Sequence, residues 1–166
     1  MLDAAPRLAE PADRAAALAL AGAAFASYGD YALILDGWLD EPATRLWVVG
    51  PVGAPMGFVA VAWIRRVPGG APDGDVLAVA VEPTVRGGGL GRALLEHALA
   101  VLAAEAPLVG GVRATLAVAE DNHAARHLFA SVGFRPLAER ATYPGGQAGL
   151  LLARPFSTDT PLQECS

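Results

Sequence analysis

Between a buried-looking run and a leucine-striped segment, the chain sets Arg86-Gly87-Gly88-Gly89-Leu90-Gly91-Arg92. The run Asp75 to Val81 ahead of it is apolar, as in a strand covered on both faces, and Leu90, Leu94, Leu95, Ala98, Leu99 and Leu102 behind it recur at helical spacing. A glycine turn in that position bares several backbone N–H groups at a helix N-terminus, which is an anion site. The glycines let the backbone come close to oxygen atoms with no Cβ in the way, and Arg86 and Arg92 add charge-assisted donors. A diphosphate would suit such a loop.

Three kinds of phosphate loop compete, and spacing separates them. A P-loop needs Gly-Lys-Ser or Gly-Lys-Thr, and the chain has no lysine. A dinucleotide fingerprint needs a third glycine where Leu94 stands, with an acidic residue about 20 positions on at a strand end, and neither is present. Taken alone, four glycines also make an ordinary turn. What remains is Arg-x-x-Gly-x-Gly at Arg86, Gly89 and Gly91, between Val79-Ala80-Val81-Glu82-Pro83 and Ala93-Leu94-Leu95. This resembles the pyrophosphate-binding motif of the GNAT superfamily of N-acetyltransferases. Asn122 to Phe134, which opens on Asn and closes on Gly133-Phe134, is similar to that family's other core segment, so the likeness runs from about Asp75 to Phe134.

The resemblance implies a GNAT-like acyl-CoA N-acyltransferase fold, a mixed, mostly antiparallel sheet of six to seven strands flanked by about four helices. It implies that two parallel strands splay apart and take the pantetheine arm of acetyl-CoA, here beside Val79, Ala80 and Val81. Arg86, Gly87, Gly88, Gly89, Leu90, Gly91 and Arg92 would hold the pyrophosphate, and Asn122 and Phe129 would face the same cofactor. The family's usual tyrosine acid falls at Phe129. Relatives that acetylate a ribosomal protein's N-terminus look similar near Tyr143-Pro144, yet their acidic base falls at Ala117, so both usual proton-transfer positions are filled by residues that cannot serve.

Aminolysis of a thioester needs a deprotonated amine, a stabilised oxyanion and a proton for the departing thiolate. A backbone N–H near Val81 can serve the oxyanion without any particular side chain. The replacement candidates are Tyr143 as acid and Asp75 or Glu120 as base, the latter two because they lie at or near the ends of the two central strands; a solvated or capping residue is the commoner reading of each. Tyr28, Asp30 and Tyr31, with Trp38, gather where the first two helices meet, which in this family borders the acceptor cleft. Aromatics with one acid suit a cationic amine, and also suit a plain core. His123 and His127 stand four apart, but the zinc-protease pattern needs Glu where Ala124 sits, so no metal is expected. His97 beside its helix's core stripe, and Trp47 and Trp63 inside strands, read as packing residues.

The elements that must carry these residues follow from periodicity and punctuation. Helices are expected from Pro11 to about Ser27, over Tyr31 to Leu39, after the glycine loop until Pro107 and Gly110-Gly111, and from His123 to Val132, with Asn122 as cap. Strands are expected at Leu46 to Val49 and Met56 to Arg66 as a hairpin, then at Asp75 to Val81, Val112 to Val118, Phe134 to Arg140 and Ala148 to Ala153. Pro68 to Gly74 reads as a loop. Alternating helices and strands give an α/β or α+β sandwich with helices on both faces of a mixed sheet.

The whole chain sets the outer limits. Its 166 residues suit one domain, expected over 1–156, with 157–166 as a disordered tail. With 54 % apolar and 17 % charged residues it has the means to build a core. A net charge of −5 with scattered arginines excludes nucleic acid as a partner. One cysteine, Cys165, excludes a disulfide framework, and a reduced cytoplasm is expected. Ala15 to Ala26 is too short to span a membrane, and the acidic residues before it do not suit a secretory leader. The expectation is an acetyl-CoA-dependent N-acetyltransferase acting by direct transfer on the primary amine of a small molecule or amino acid. The alternatives are a protein N-terminal or lysine acetyltransferase, or a silent acyl-CoA-binding sensor. A homodimer is expected by analogy alone.

Overall fold

The computed structural model describes residues 5–156, and the tail expected at 157–166 lies outside them. A seven-stranded sheet runs in the order β1-β2-β3-β4-β5-β7-β6. Its strands are β1 (Arg7–Leu8), β2 (Arg45–Val49), β3 (Gly57–Ile64), β4 (Asp73–Val81), β5 (Arg113–Ala119), β6 (Arg135–Thr142) and β7 (Ala148–Pro155). Every neighbouring pair is antiparallel except β4 and β5. The mixed, mostly antiparallel sheet with helices on both faces is therefore the architecture of this chain.

Each face has its own apolar core. On one face α3 (Leu90–Val109) and α4 (His123–Ser131) bury Leu94, Leu95, Leu99, Leu102 and Phe129 against Val59, Val61, Val76, Leu116 and Val118. On the other, α1 (Arg14–Ala24) and α2 (Tyr31–Leu39) bury Ala17, Leu20, Tyr31 and Leu35 against Val48, Phe58, Ala60, Ala78 and Ala80. Strands loaded on both faces read as near-continuous apolar runs, which is why β3 and β4 show little alternation.

Local chemistry sets the helix ends. Asp30 caps α2 by accepting from the Leu33 N–H at 3.2 Å, and Asn122 caps α4 by accepting from the Ala125 N–H at 3.2 Å. Gly110 ends α3 in the left-handed region, φ 73°. Pro107 lies within the last turn of α3 rather than ending it, because a missing N–H there forfeits only one intrahelical bond before Gly110 stops the helix.

The start of the chain departs from expectation. Pro11–Asp13 is a separate 3-10 turn, and α1 begins at Arg14 and stops at Ala24 instead of reaching Ser27. The 3-10 turn is held by Asp13, fully buried, which accepts from both arms of Arg7 (2.8 and 3.0 Å), from the Glu10 N–H (2.8 Å) and from the Gly53 N–H (2.9 Å). These contacts also hold the two-residue β1, too short to leave a periodic signal, against β2. β4 begins at Asp73, two residues earlier than expected, where Arg113 pairs with Asp73 at 2.9 Å.

Candidate functional site

The parallel pairing of β4 with β5 is short. It joins Gly74 to Ala114 and Asp75 to Thr115 and then stops. One residue later β4 carries a bulge: Val76 faces Val61 on β3 and Ala78 faces Ala60, which leaves Leu77 as the extra residue. A bulge bends its strand and sharpens its twist. Past it, the two parallel strands part and a cleft of about 540 Å³ opens between them, lined by Val76 to Val81 on one side and Leu116, Ala117 and Val118 on the other.

One end of the cleft meets the glycine loop. Gly87 and Gly89 take φ of 85° and 84°, where side chains are strained, and an added Cβ at either would meet nothing within 4 Å. The loop therefore borders open space, at the start of a 20-residue helix whose first amides have no intrahelical partner. Arg86 lines the cleft and hydrogen-bonds through Nε to the Val81 carbonyl at 3.2 Å, which ties the loop to the end of β4. Arg92 also lines it and reaches Glu96 at 3.1 Å and the Ser131 hydroxyl at 3.2 Å. A helix N-terminus behind a glycine loop, flanked by two guanidinium groups, suits a diphosphate. Val79, Ala80, Val81, Leu90, Gly91, Asn122 and Phe129 share the lining, whereas Gly88 does not and turns toward the Val85 carbonyl.

The other end is aromatic. Tyr28, Tyr31 and Tyr143 line it, with ring centroids 4.9 Å apart for Tyr28 and Tyr143 and 6.3 Å for Tyr31 and Tyr143. Burial raises the pKa of all three phenols. For Tyr143 the rise is large: burial leads, its two tyrosine neighbours add to it, and a backbone hydrogen bond from Ala119 works the other way. The phenol of Tyr143 is thus in its protonated form in the neutral range. Tyr28 donates to Asp121 Oδ1 at 3.3 Å, and its carbonyl accepts from the Gly145 N–H at 3.0 Å, so the turn after α1 is tied both to the β5–α4 turn and to the β6–β7 turn.

Two expected bases stand elsewhere. Asp75 does not line the cleft; it lies before the bulge, at the closed end of the parallel pair, where it accepts from the Thr115 hydroxyl at 2.6 Å and from Arg66 at 2.7 Å. Burial raises its pKa, against the lowering effect of those two donors. Glu120 lies one residue past β5, pairs with Arg140 and is also absent from the lining. Asp30 serves as the α2 cap and does not line the cleft. Among the described residues, the ionisable side chains of the lining are Tyr28, Tyr31, Tyr143, Arg86 and Arg92.

Sequence reasoning missed Phe25, Leu77 and Leu128 in the lining. Phe25 follows α1 and carried no motif, and Leu77 looked like any strand residue because a bulge has no signature in an unbroken apolar run. His97 packs its ring 4.4 Å from that of Trp47, in keeping with a packing role, and burial lowers its pKa. Among the described residues no cluster of three or more His, Cys, Asp or Glu is placed to hold a metal ion, and no helix is long and apolar enough to cross a membrane.

The model of the acetyltransferase (GNAT) family matches residues 15–134. Curated relatives include mycothiol acetyltransferases of Salinispora tropica, 37 % identical over 81 % of this chain and 45 % of the relative, and of Beutenbergia cavernae, 36 % identical over 80 % of this chain and 44 % of the relative. The chain thus spans less than half the length of the curated relatives it matches. Among solved structures, a NatC complex bound to Gag peptide and CoA superposes with a TM-score of 0.74 at 20 % identity, covering 92 % of this chain and 98 % of that one. The ribosomal-protein-S18-alanine N-acetyltransferase of Escherichia coli gives 0.67 at 22 % identity, covering 95 % and 96 %. These two likenesses speak to the fold.

Proposed function

The chain belongs to the GNAT family of acetyltransferases, enzymes whose acyl donor is acetyl-coenzyme A, and from that premise we propose that it acetylates the primary amine of a small molecule or amino acid by direct attack in a ternary complex. The observation that carries the reading is one continuous cleft with the glycine loop at one end, the unpaired edge of β4 along its side and three tyrosines at the other end. The names of the curated relatives support a small-molecule acceptor over a protein.

In this reading the loop from Arg86 to Arg92 holds the diphosphate, and the β5-facing backbone groups of Val79 to Val81 pair with the pantetheine arm. The thioester supplies an activated acyl carbonyl. A backbone N–H near Val81 polarises that carbonyl oxygen, the amine nitrogen bonds to the carbonyl carbon, and the carbon–sulfur bond breaks. Tyr143 gives its proton to the departing thiolate, the attacking nitrogen releases its own proton to water, and water returns a proton to the Tyr143 phenolate, which closes the cycle. No Cys, Ser or Thr side chain lines the cleft among the described residues, which supports direct transfer over an acyl-enzyme. Neither does a carboxylate or imidazole, so the amine must arrive neutral, and orientation carries much of the rate. The test is thiol release from acetyl-CoA across a panel of small amines and peptide N-termini. Turnover on small amines is expected; CoA binding without turnover on any acceptor would overturn the transfer.

A further inference from the structure

Asp75 and Thr115 have a role that their place outside the cleft does not exclude. They face each other in the last register pair of the parallel ladder, and their side chains are themselves joined, Thr115 Oγ1 donating to Asp75 Oδ1 at 2.6 Å. Both are buried, Thr115 completely. Arg66, two residues past the end of β3, reaches over the pair: its Nη2 donates to Asp75 Oδ1 at 2.7 Å and to Thr115 Oγ1 at 3.2 Å, and its Nε lies 3.2 Å from Asp73. Arg113, the first residue of β5, holds Asp73 from the other side at 2.9 Å. A polar cross-link of this kind in a sheet otherwise packed with Val, Leu and Ala calls for a reason, because apolar residues of similar volume would serve stability as well.

Its position supplies that reason. The next residue on β4 pairs only with β3, and the one after that is the bulged Leu77. The bulge pulls β4 away from β5 while the Asp75–Thr115–Arg66 link resists separation at the same level of the sheet. Two opposed constraints fix where the strands begin to part, and hence the spacing between Val79–Val81 and Ala117–Val118 farther along.

We propose that Asp75, Thr115 and Arg66 are positioning residues that set the opening of the fork for the acyl donor. This rests on the reading that the pantetheine arm lies in the fork. Loosening the link lets the opening move up or down the ladder, so the donor loses a preformed slot while the tyrosines and the acceptor end stay as they were.

The variants Thr115→Val, which keeps the shape and removes the hydroxyl, and Arg66→Met, at a partly exposed side chain, test it in the full chain, with Glu105→Gln, which breaks the Arg45 pair and leaves the Asp75–Thr115–Arg66 link intact, as a control for general destabilisation. Thr115→Val should raise the KM for acetyl-CoA and the Kd for CoA together, by about fivefold, with kcat and the acceptor KM little changed, as expected for one lost hydrogen bond. Arg66→Met should act in the same direction, Thr115→Ser should restore the donor KM, and Glu105→Gln should leave it alone. Wild-type KM and Kd in both Thr115→Val and Arg66→Met, with only a lower Tm, would overturn the proposal. If the wild-type protein bound no CoA, the reading of the cleft would fall by itself; amide exchange on the apoprotein then decides the fork. There, Thr115→Val must speed exchange in the segments around Asp75 and Thr115 more than Glu105→Gln does, and equal rates would overturn the proposal.

Discussion

At the scale of single residues, the proposed reaction rests on Tyr143 and on a cleft lining without a carboxylate or imidazole. Burial raises its pKa, so its phenol is protonated throughout the neutral range and in the proposed reaction it acts as the proton donor. Tyr143→Phe is expected to lower kcat by about a hundredfold while CoA affinity by calorimetry stays near wild type, in line with the usual contribution of a general acid. A second expectation concerns pH. Because the lining offers no carboxylate or imidazole, and the pKa values of Tyr28, Tyr31 and Tyr143 are raised above the ordinary value of about 10, kcat/KM should climb with pH along the acceptor's own amine titration. Acceptors of different pKa should shift the profile accordingly; a limb that stays fixed in the neutral range whatever the acceptor would refute this.

At the scale of elements, the glycine loop and the fork divide the work. Gly89 occupies φ 84° at the N-cap of α3, so Gly89→Val forces a β-branched side chain into the left-handed region, at a cost of about 1–2 kcal/mol, and turns the amides away from their common focus. The expected outcome in calorimetry is a loss of CoA affinity of about tenfold or more. Gly88→Ala should change it little, because Gly88 lies outside the lining and its backbone is not in the positive-φ region. The loop was legible in the sequence, since Arg86, Gly89 and Gly91 stand between a strand pattern and a helix pattern. The fork was not. The bulge at Leu77 depends on how β3 and β4 register against each other, and an apolar run leaves that register unwritten.

At the scale of the molecule, Asp13 joins parts of the chain that periodicity treats as separate: β1, the turn before α1 and the loop between β2 and β3. Its hydrogen bonds to Arg7, ahead of those from Glu10 and Gly53, hold its carboxyl well below the usual range despite full burial. A folded pKa that is depressed gives stability that is present above the unfolded value of about 3.9 and is lost as pH falls below it. Thermal unfolding between about pH 2 and 6 should show that loss in the wild type and less of it in Asp13→Asn, which itself should cost about 3 kcal/mol at neutral pH. The sequence by itself determined the order of the four helices and of β2 to β7, the sandwich, the glycine loop and the likeness to the acetyltransferase family, because each is written in local spacing and residue type. Only the tertiary structure decided that Tyr143 reaches the cleft while Asp75 and Glu120 do not. Whether a side chain at a strand end faces a site depends on where two strands part and which arginine reaches it first, and both are set by contacts between residues far apart in the chain.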